Sequence, residues 1–146
     1  MHGRGRQSGI DILRHLRQLL SAAARGATGA GPMPVIYKIV PQTLWAAAEA
    51  AGTFLGAPVD IADGYIHFST AAQAPETAAR HFSGQSGLLL VAVDTAKLGA
   101  ALRWEVSRGG ALFPHLYAPL VPTDCLWVKP LPLGPDGAHR FPGLDA

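Results

Sequence analysis

Asp63-Gly64-Tyr65-Ile66-His67-Phe68-Ser69-Thr70 is the stretch whose reading decides the fold. Asp-Gly is a turn signal, because glycine accepts the positive φ that a tight turn requires. The residues after it alternate. Tyr65, His67 and Ser69 are expected on one face of a strand, Ile66 and Phe68 on the other. With Ile66 and Phe68 on the core, the tyrosine, histidine and serine line a surface or cleft together. Thr70 then opens a helix expected over residues 71–82, with Pro75 and Glu76 early and Gly84 beyond its end.

Upstream, residues 35–40 are rich in β-branched side chains and read as a strand that Pro41 breaks. Thr43 is the expected cap of a helix over residues 44–51 that ends at Gly52. Residues 53–63, with Gly56 and Pro58, read as a loop. Downstream, residues 88–93 are almost all apolar and read as a central strand, after which Asp94 caps a short turn. Residues 102–106 and 125–131 read as strands, separated by a loop-rich stretch with Gly109-Gly110, Pro114, Pro119 and Pro122. Early elements alternate β-α-β-α and later ones are β. That order argues for an α+β fold with a mixed sheet.

The 146 residues are 49% hydrophobic and 15% charged, the composition of one globular domain with a real core. Cys125 stands alone, so one chain can form neither a disulfide nor a cysteine zinc site, and a free thiol in a reducing, cytoplasmic compartment is expected. The apolar stretches fall far short of the roughly 20 residues of a membrane span. Charge is uneven. Residues 1–32 carry Arg4, Arg6, Arg14, Arg17 and Arg25 against Asp11, whereas residues 33–146 hold seven basic and nine acidic side chains. The main part is mildly acidic, without the basic stripe of a non-specific nucleic-acid binder, so no DNA partner is expected.

Three parts are expected: an N-terminal basic extension over 1–32, an α+β domain over 33–133 and a loose tail over 134–146. Within the extension, residues 10–20 place Ile10, Leu13, Leu16, Leu19 and Leu20 at mostly helical spacing, and a Gly/Ala-rich linker follows. It reads as an upstream stretch from an early start, as a helix that packs on the domain or a partner, or as a targeting peptide.

Four short stretches hold polar groups where a plain core strand would not: Tyr37-Lys38, the opening run, Trp104-Glu105, and Phe113-Pro114-His115-Leu116-Tyr117. A histidine on a strand near a carboxylate is a general acid–base device, or it satisfies a backbone carbonyl. Glu105 inside a strand must be exposed, paired or functional, because an unpaired buried carboxylate is costly; Lys38 is its expected partner. The proline-stiffened stretch around His115 suits either a ligand ring or the end of the core. His67, His115 and Glu105 could form a two-His-one-carboxylate metal set, though no HxH or HExxH spacing supports it. No Walker loop, GxGxxG, GxSxG or helix-turn-helix pattern is present.

At these four stretches, over about residues 34–130, the chain resembles a bacterial family known as domain of unknown function 952. A more distant likeness is to ADP-ribosyltransferases and RNA 2′-phosphotransferases. Those open with a strand reading Leu-Tyr-His and a helix ending in Gly, follow with a Gly-x-x-hydrophobic-Ser-Thr strand and a helix, and carry a glutamate on a later strand. Here the same order runs Ile36-Tyr37-Lys38, Gly52, Gly64 to Thr70, and Glu105. The likeness implies a split sheet with two main helices and a transferase-like pocket for a nucleotide or phosphorylated small molecule, NAD included. It implies catalytic roles for His67 and Glu105, and substrate contacts from Tyr37, Lys38, Tyr65, Ser69, Thr70, His115 and Tyr117, with Lys38 neutralising phosphate. The pattern departs at Lys38, which stands where the transferases have histidine. A lysine cannot copy an imidazole's donor and acceptor pair, but it can hold phosphate. Two other readings remain open: a non-catalytic small-molecule or partner-binding module, and a metal-dependent enzyme.

Overall fold

The computed structural model describes residues 34–144, in the order β1 (Val35–Pro41), α1 (Gln42–Ala51), α2 (Pro58–Asp63), β2 (Ile66–His67), α3 (Ala74–His81), β3 (Leu88–Asp94), β4 (Leu102–Val106), β5 (Leu112–Leu116) and β6 (Trp127–Leu131). The expected helix and linker of the N-terminal extension lie outside the described residues.

The strands form two three-stranded sheets, ordered β1-β3-β6 and β2-β5-β4. One bridge joins them: Tyr37 N–H donates to Ser69 O and Ser69 N–H to Tyr37 O, both at 2.8 Å. Among the described residues the sheet is therefore split, but it is not mixed, since every strand pair is antiparallel. The connections explain this. α1 and α2 lead from the first sheet to the second and α3 leads back, so no helix links two strands of one sheet as a parallel crossover does. Among the described residues no helix is long and apolar enough to cross a membrane.

β3 is central, and its unbroken apolar run reflects burial on both faces. Val91 and Val93 join the core between the sheets, with Ile36, Val40, Trp45, Phe54, Ile66, Phe68 and Leu116. Leu88, Leu90 and Ala92 face a second core with Tyr37, Ile39, Leu131 and Ala78 of α3. Ile66 and Phe68 thus lie in the core, as their alternation with Tyr65 and His67 requires.

Several boundaries differ from the sequence reading. α1 begins at Gln42 with no side-chain cap, so Thr43 does not cap it; its end at Gly52, in the left-handed region at φ 83, is as expected. α3 begins at Ala74, after a turn in which Thr70 N–H donates to Gln73 Oε1 at 3.0 Å and Gln73 N–H to Thr70 Oγ1 at 3.2 Å. The stretch around His115 is not a loop but β5, the middle strand of the second sheet. Pro114 hides it from a sequence reading, because proline lacks a ladder donor. Its carbonyl accepts from Phe68 N–H at 3.0 Å, so the missing donor falls on the side of β2, just past that strand's two-residue length. Cys125 is a partly buried free thiol, pushed up to about 11 mainly by burial.

Residues 134–144 bond and pack back onto the domain. Gly134 N–H donates to Ala138 O at 2.7 Å, Arg140 N–H to Pro132 O at 2.8 Å, and His139 bonds Gln85 O at 2.7 Å. Phe141 and Leu144 pack on the second core, apolar contact that the Gly/Pro-rich composition conceals. A chain ending at Leu133 is therefore expected to lose about 2 kcal/mol or more in urea unfolding. An unchanged midpoint would show that the tail adds no stability.

Candidate functional site

Asp60 organises the polar end of the molecule. It sits in α2, a helix hidden from a sequence reading by the loop signals Gly56 and Pro58. Pro58 opens the helix, and Asp60 Oδ2 accepts from Ala57 N–H at 2.7 Å, one half of a capping box. Gly56 has φ 122, and a Cβ there would lie 2.6 Å from Asp60 Cβ, so the residue must be glycine for the carboxylate to sit where it does. Asp60 is 1% exposed. Its oxygens accept from Lys38 Nζ at 3.0 and 2.9 Å, from His67 N–H at 3.1 Å, and contact His67 Nδ1 at 2.6 Å. Burial alone would raise this carboxyl, but the His67 bond, the Lys38 charge and hydrogen bond, and the Ala57 N–H together bring it down to about 2. Lys38 shares a strand face with Ile36 and Val40; burial lowers its ammonium against the opposing pull of Asp60.

His67 reaches outward from this pair. Its Nε2 lies 2.9 Å from Asp63 Oδ2 on the last turn of α2, so both ring nitrogens face carboxylates, and only the doubly protonated ring can donate to both. Across the strand register stands His115. Its Nδ1 lies 2.8 Å from Glu105 Oε1, which also accepts from Tyr117 Oη at 2.7 Å. The His67 and His115 ring centroids are 5.5 Å apart. Tyr65 stacks on His115 at 4.1 Å and borders His67 and Tyr117 at 4.7 and 5.1 Å. Burial lowers His115, while the Glu105 bond and charge act to raise it. Burial and the bond to Glu105 raise Tyr117, which stays a donor. Beneath Tyr65, His115 is only 3% exposed, whereas Tyr117 is 38% exposed.

His67, Glu105, His115, Tyr65 and Tyr117 are thus brought together on the outer face of the second sheet. Other expected members are not. Lys38 pairs with Asp60 rather than Glu105, because β1 and β4 belong to different sheets. Buried and paired, it is not available to neutralise a phosphate. Tyr37 is buried in the second core with its ring 5.9 Å from Trp127. Ser69 Oγ bonds Thr77 Oγ1 of α3 at 2.9 Å, and Thr70 holds the turn before α3. These three fasten the junction between the sheets. Among the described residues no three His, Cys, Asp or Glu side chains are grouped to hold a metal, so His67, His115 and Glu105 do not form the two-His-one-carboxylate set that their types would allow: their facing atoms bond one another or Asp60 and Asp63.

Asp60 and Asp63 escaped the sequence reading. The available signals were Pro58 two residues before Asp60, and the spacing of four between Asp63 and His67. A separate groove of about 270 Å³, between α3 and the tail, is lined by Ala78, Asp136, His139 and Phe141 and does not involve this face.

Fold and site together define a small α+β domain of two antiparallel sheets with a polar, aromatic outer face. The chain belongs to the family described as protein of unknown function (DUF952), which matches residues 39–128. It is similar to protein CC0527 from Caulobacter crescentus. The crystal structure of that protein matches at 50% identity and a TM-score of 0.70, covering 73% of this chain and 93% of that one. Its solution NMR structure matches at 50% identity and a TM-score of 0.68, covering 74% and 93%. The comparison with curated proteins finds no match.

Because Asp60 titrates below its ordinary range, its stabilisation is complete above about pH 4 and lost as pH falls toward 2, an effect of about 2 kcal/mol. Asp60→Asn should flatten that acid limb and cost about 3–5 kcal/mol at pH 7, since it leaves Lys38 buried without its charge partner. Lys38→Met with Asp60→Leu should be less destabilised than the sum of the two single changes. Urea unfolding across a pH series reads both. An acid limb unchanged in Asp60→Asn would assign it to another carboxylate.

Proposed function

We propose that the outer face of the second sheet is a transferase-like pocket for a nucleotide or other phosphorylated small molecule. One observation carries this reading. Two histidines, each with a ring nitrogen on a carboxylate, lie side by side under an aromatic ring on a sheet face turned away from the core. The order Tyr37, Gly64 to Thr70 and Glu105 resembles that of ADP-ribosyltransferases and RNA 2′-phosphotransferases, with Lys38 where they have histidine, and this likeness supports the choice of ligand class.

The dyad supplies the chemistry. With Nδ1 donating to Glu105, His115 keeps its Nε2 lone pair, and its lowered proton affinity favours the neutral, basic ring. Nε2 takes the proton of an attacking hydroxyl, and Glu105 stabilises the imidazolium formed. The same His115 ring then returns that proton to the departing group, while His67, with both ring nitrogens held by Asp60 and Asp63, borders the site. Tyr65 and Tyr117 offer faces on which a planar ring can stack. Lys38 acts through Asp60: it holds the carboxylate that orients His67.

The burial of His115 favours a second reading, a binding module in which the dyad is structural and Tyr65 is its cover. Calorimetric titration with NAD, ADP-ribose and simple nucleotides, followed by an assay for nicotinamide release, separates the two. Glu105→Gln should bind within a few-fold of wild type and lose any turnover; binding without turnover in wild type selects the module. No binding at millimolar concentration would rule out the pocket.

A further inference from the structure

Arg103 stands opposite His115 in the β4–β5 register, and His115 stands opposite His67 in the β2–β5 register. The three side chains form one row across the outer face, with neighbouring strands about 4.8 Å apart. The Arg103 guanidinium lies over the Tyr117 ring, its Cζ 4.4 Å from the centroid. Glu105, two residues along the same strand face, forms no ion pair with it; its Oε1 is engaged by His115 at 2.8 Å and Tyr117 at 2.7 Å. Among the described residues Arg103 makes no ion pair, and it is exposed. Lys38, by contrast, is buried on Asp60. A guanidinium lying over an aromatic ring can still present an N–H edge to an anion. That planar edge matches two oxygens of a phosphate or carboxylate.

We infer that Arg103 is the anion anchor of this pocket, taking the phosphate of a ligand whose planar ring lies toward Tyr65 and His67. The inference rests on the pocket reading and adds to it the group that meets the charge. The row sets the ligand's dimensions: ring and oxyanion lie roughly 5–10 Å apart, one to two strand spacings, as in a nucleoside monophosphate. The described domain has no basic field of its own, so attraction for an anion must be local, and salt must weaken it.

The test is calorimetric titration with AMP, adenosine and inorganic phosphate at two salt concentrations, with the histidine ring resonances followed by NMR. In wild type, AMP is expected to move the His67 and His115 resonances, to bind more tightly than adenosine, and to weaken with salt. Arg103→Met should weaken AMP by about tenfold or more, remove most of the salt dependence and leave adenosine unchanged. Arg103→Lys should keep the salt dependence and recover only part of the affinity, because it keeps the charge and loses the fork. Arg80→Met removes the same charge from an exposed pair with Glu76 on α3 and should leave AMP binding as in wild type. If AMP moves both histidines and Arg103→Met binds it as wild type does, the anchor is overturned and the pocket stands. If neither AMP nor adenosine moves them at millimolar concentration, the pocket fails and the anchor with it.

Discussion

A carboxylate sealed from water needs donors, and Asp60 draws them from separate segments of the chain. Lys38 comes from β1, the Ala57 N–H from the loop before α2, and the His67 N–H and ring from β2. Each donor alone would leave a buried charge under-compensated; together they hold the carboxyl ionised far below its usual range. The consequence is mechanical. One side chain ties the first sheet, the short helix and the second sheet at the point where the sheets part. Replacing Lys38 and Asp60 by apolar residues could leave the domain stable, but His67 would lose its orienting partner. This pair therefore matters more for specifying geometry than for adding stability.

The same pair divides the charges of the molecule into two groups. Lys38 and Asp60 neutralise one another inside, and neither faces a ligand. Outside, Glu105 holds His115 and Tyr117, Asp63 holds the far nitrogen of His67, and Arg103 rests on Tyr117. Polar groups that a sequence reading gathers into one site thus separate by depth. The inner set ties the sheets together, and the outer set lies on the outer face of the second sheet. The residues Tyr37, Ser69 and Thr70 belong to neither set, since their bonds hold β1, β2 and α3 together.

Much of this was legible in the sequence, for physical reasons. The first strand, the central strand and β4 carry strong patterns, and the alternation around His67 correctly assigns Ile66 and Phe68 to the core. What failed were the elements that violate local rules. α2 has six residues between loop-type residues, too short for any helical period to emerge. β5 contains a proline, tolerated because its carbonyl side faces the end of a two-residue strand. The partner of Lys38 lies 22 residues away in an element not recognised, so no spacing rule could find it. A lysine on a strand face shared with Ile36 and Val40 did carry information: it demanded a buried acid, but pattern alone could not choose among the carboxylates. The packing of Phe141 and Leu144 was not legible, because two apolar residues among glycines and prolines are too few to signal it.

Why the sheet splits where it does follows from the same carboxylate. Tyr37 and Ser69 exchange both backbone hydrogen bonds, as a hydrogen-bonded antiparallel pair does. Continued by one more such pair, the ladder would set Ile39 against His67, and the His67 N–H would donate to the β1 backbone. It donates instead to Asp60 Oδ1 at 3.1 Å. The side chain takes the place of the next rung for His67, so β1 and β2 diverge after a single bridge and the His67 N–H keeps an acceptor at the parting. The same oxygen then receives the His67 ring, which fixes that imidazole beside His115 rather than leaving it to rotate on an open edge. The split of the sheet and the orientation of the outer histidines are thus two effects of one substitution, a carboxylate standing in for a strand.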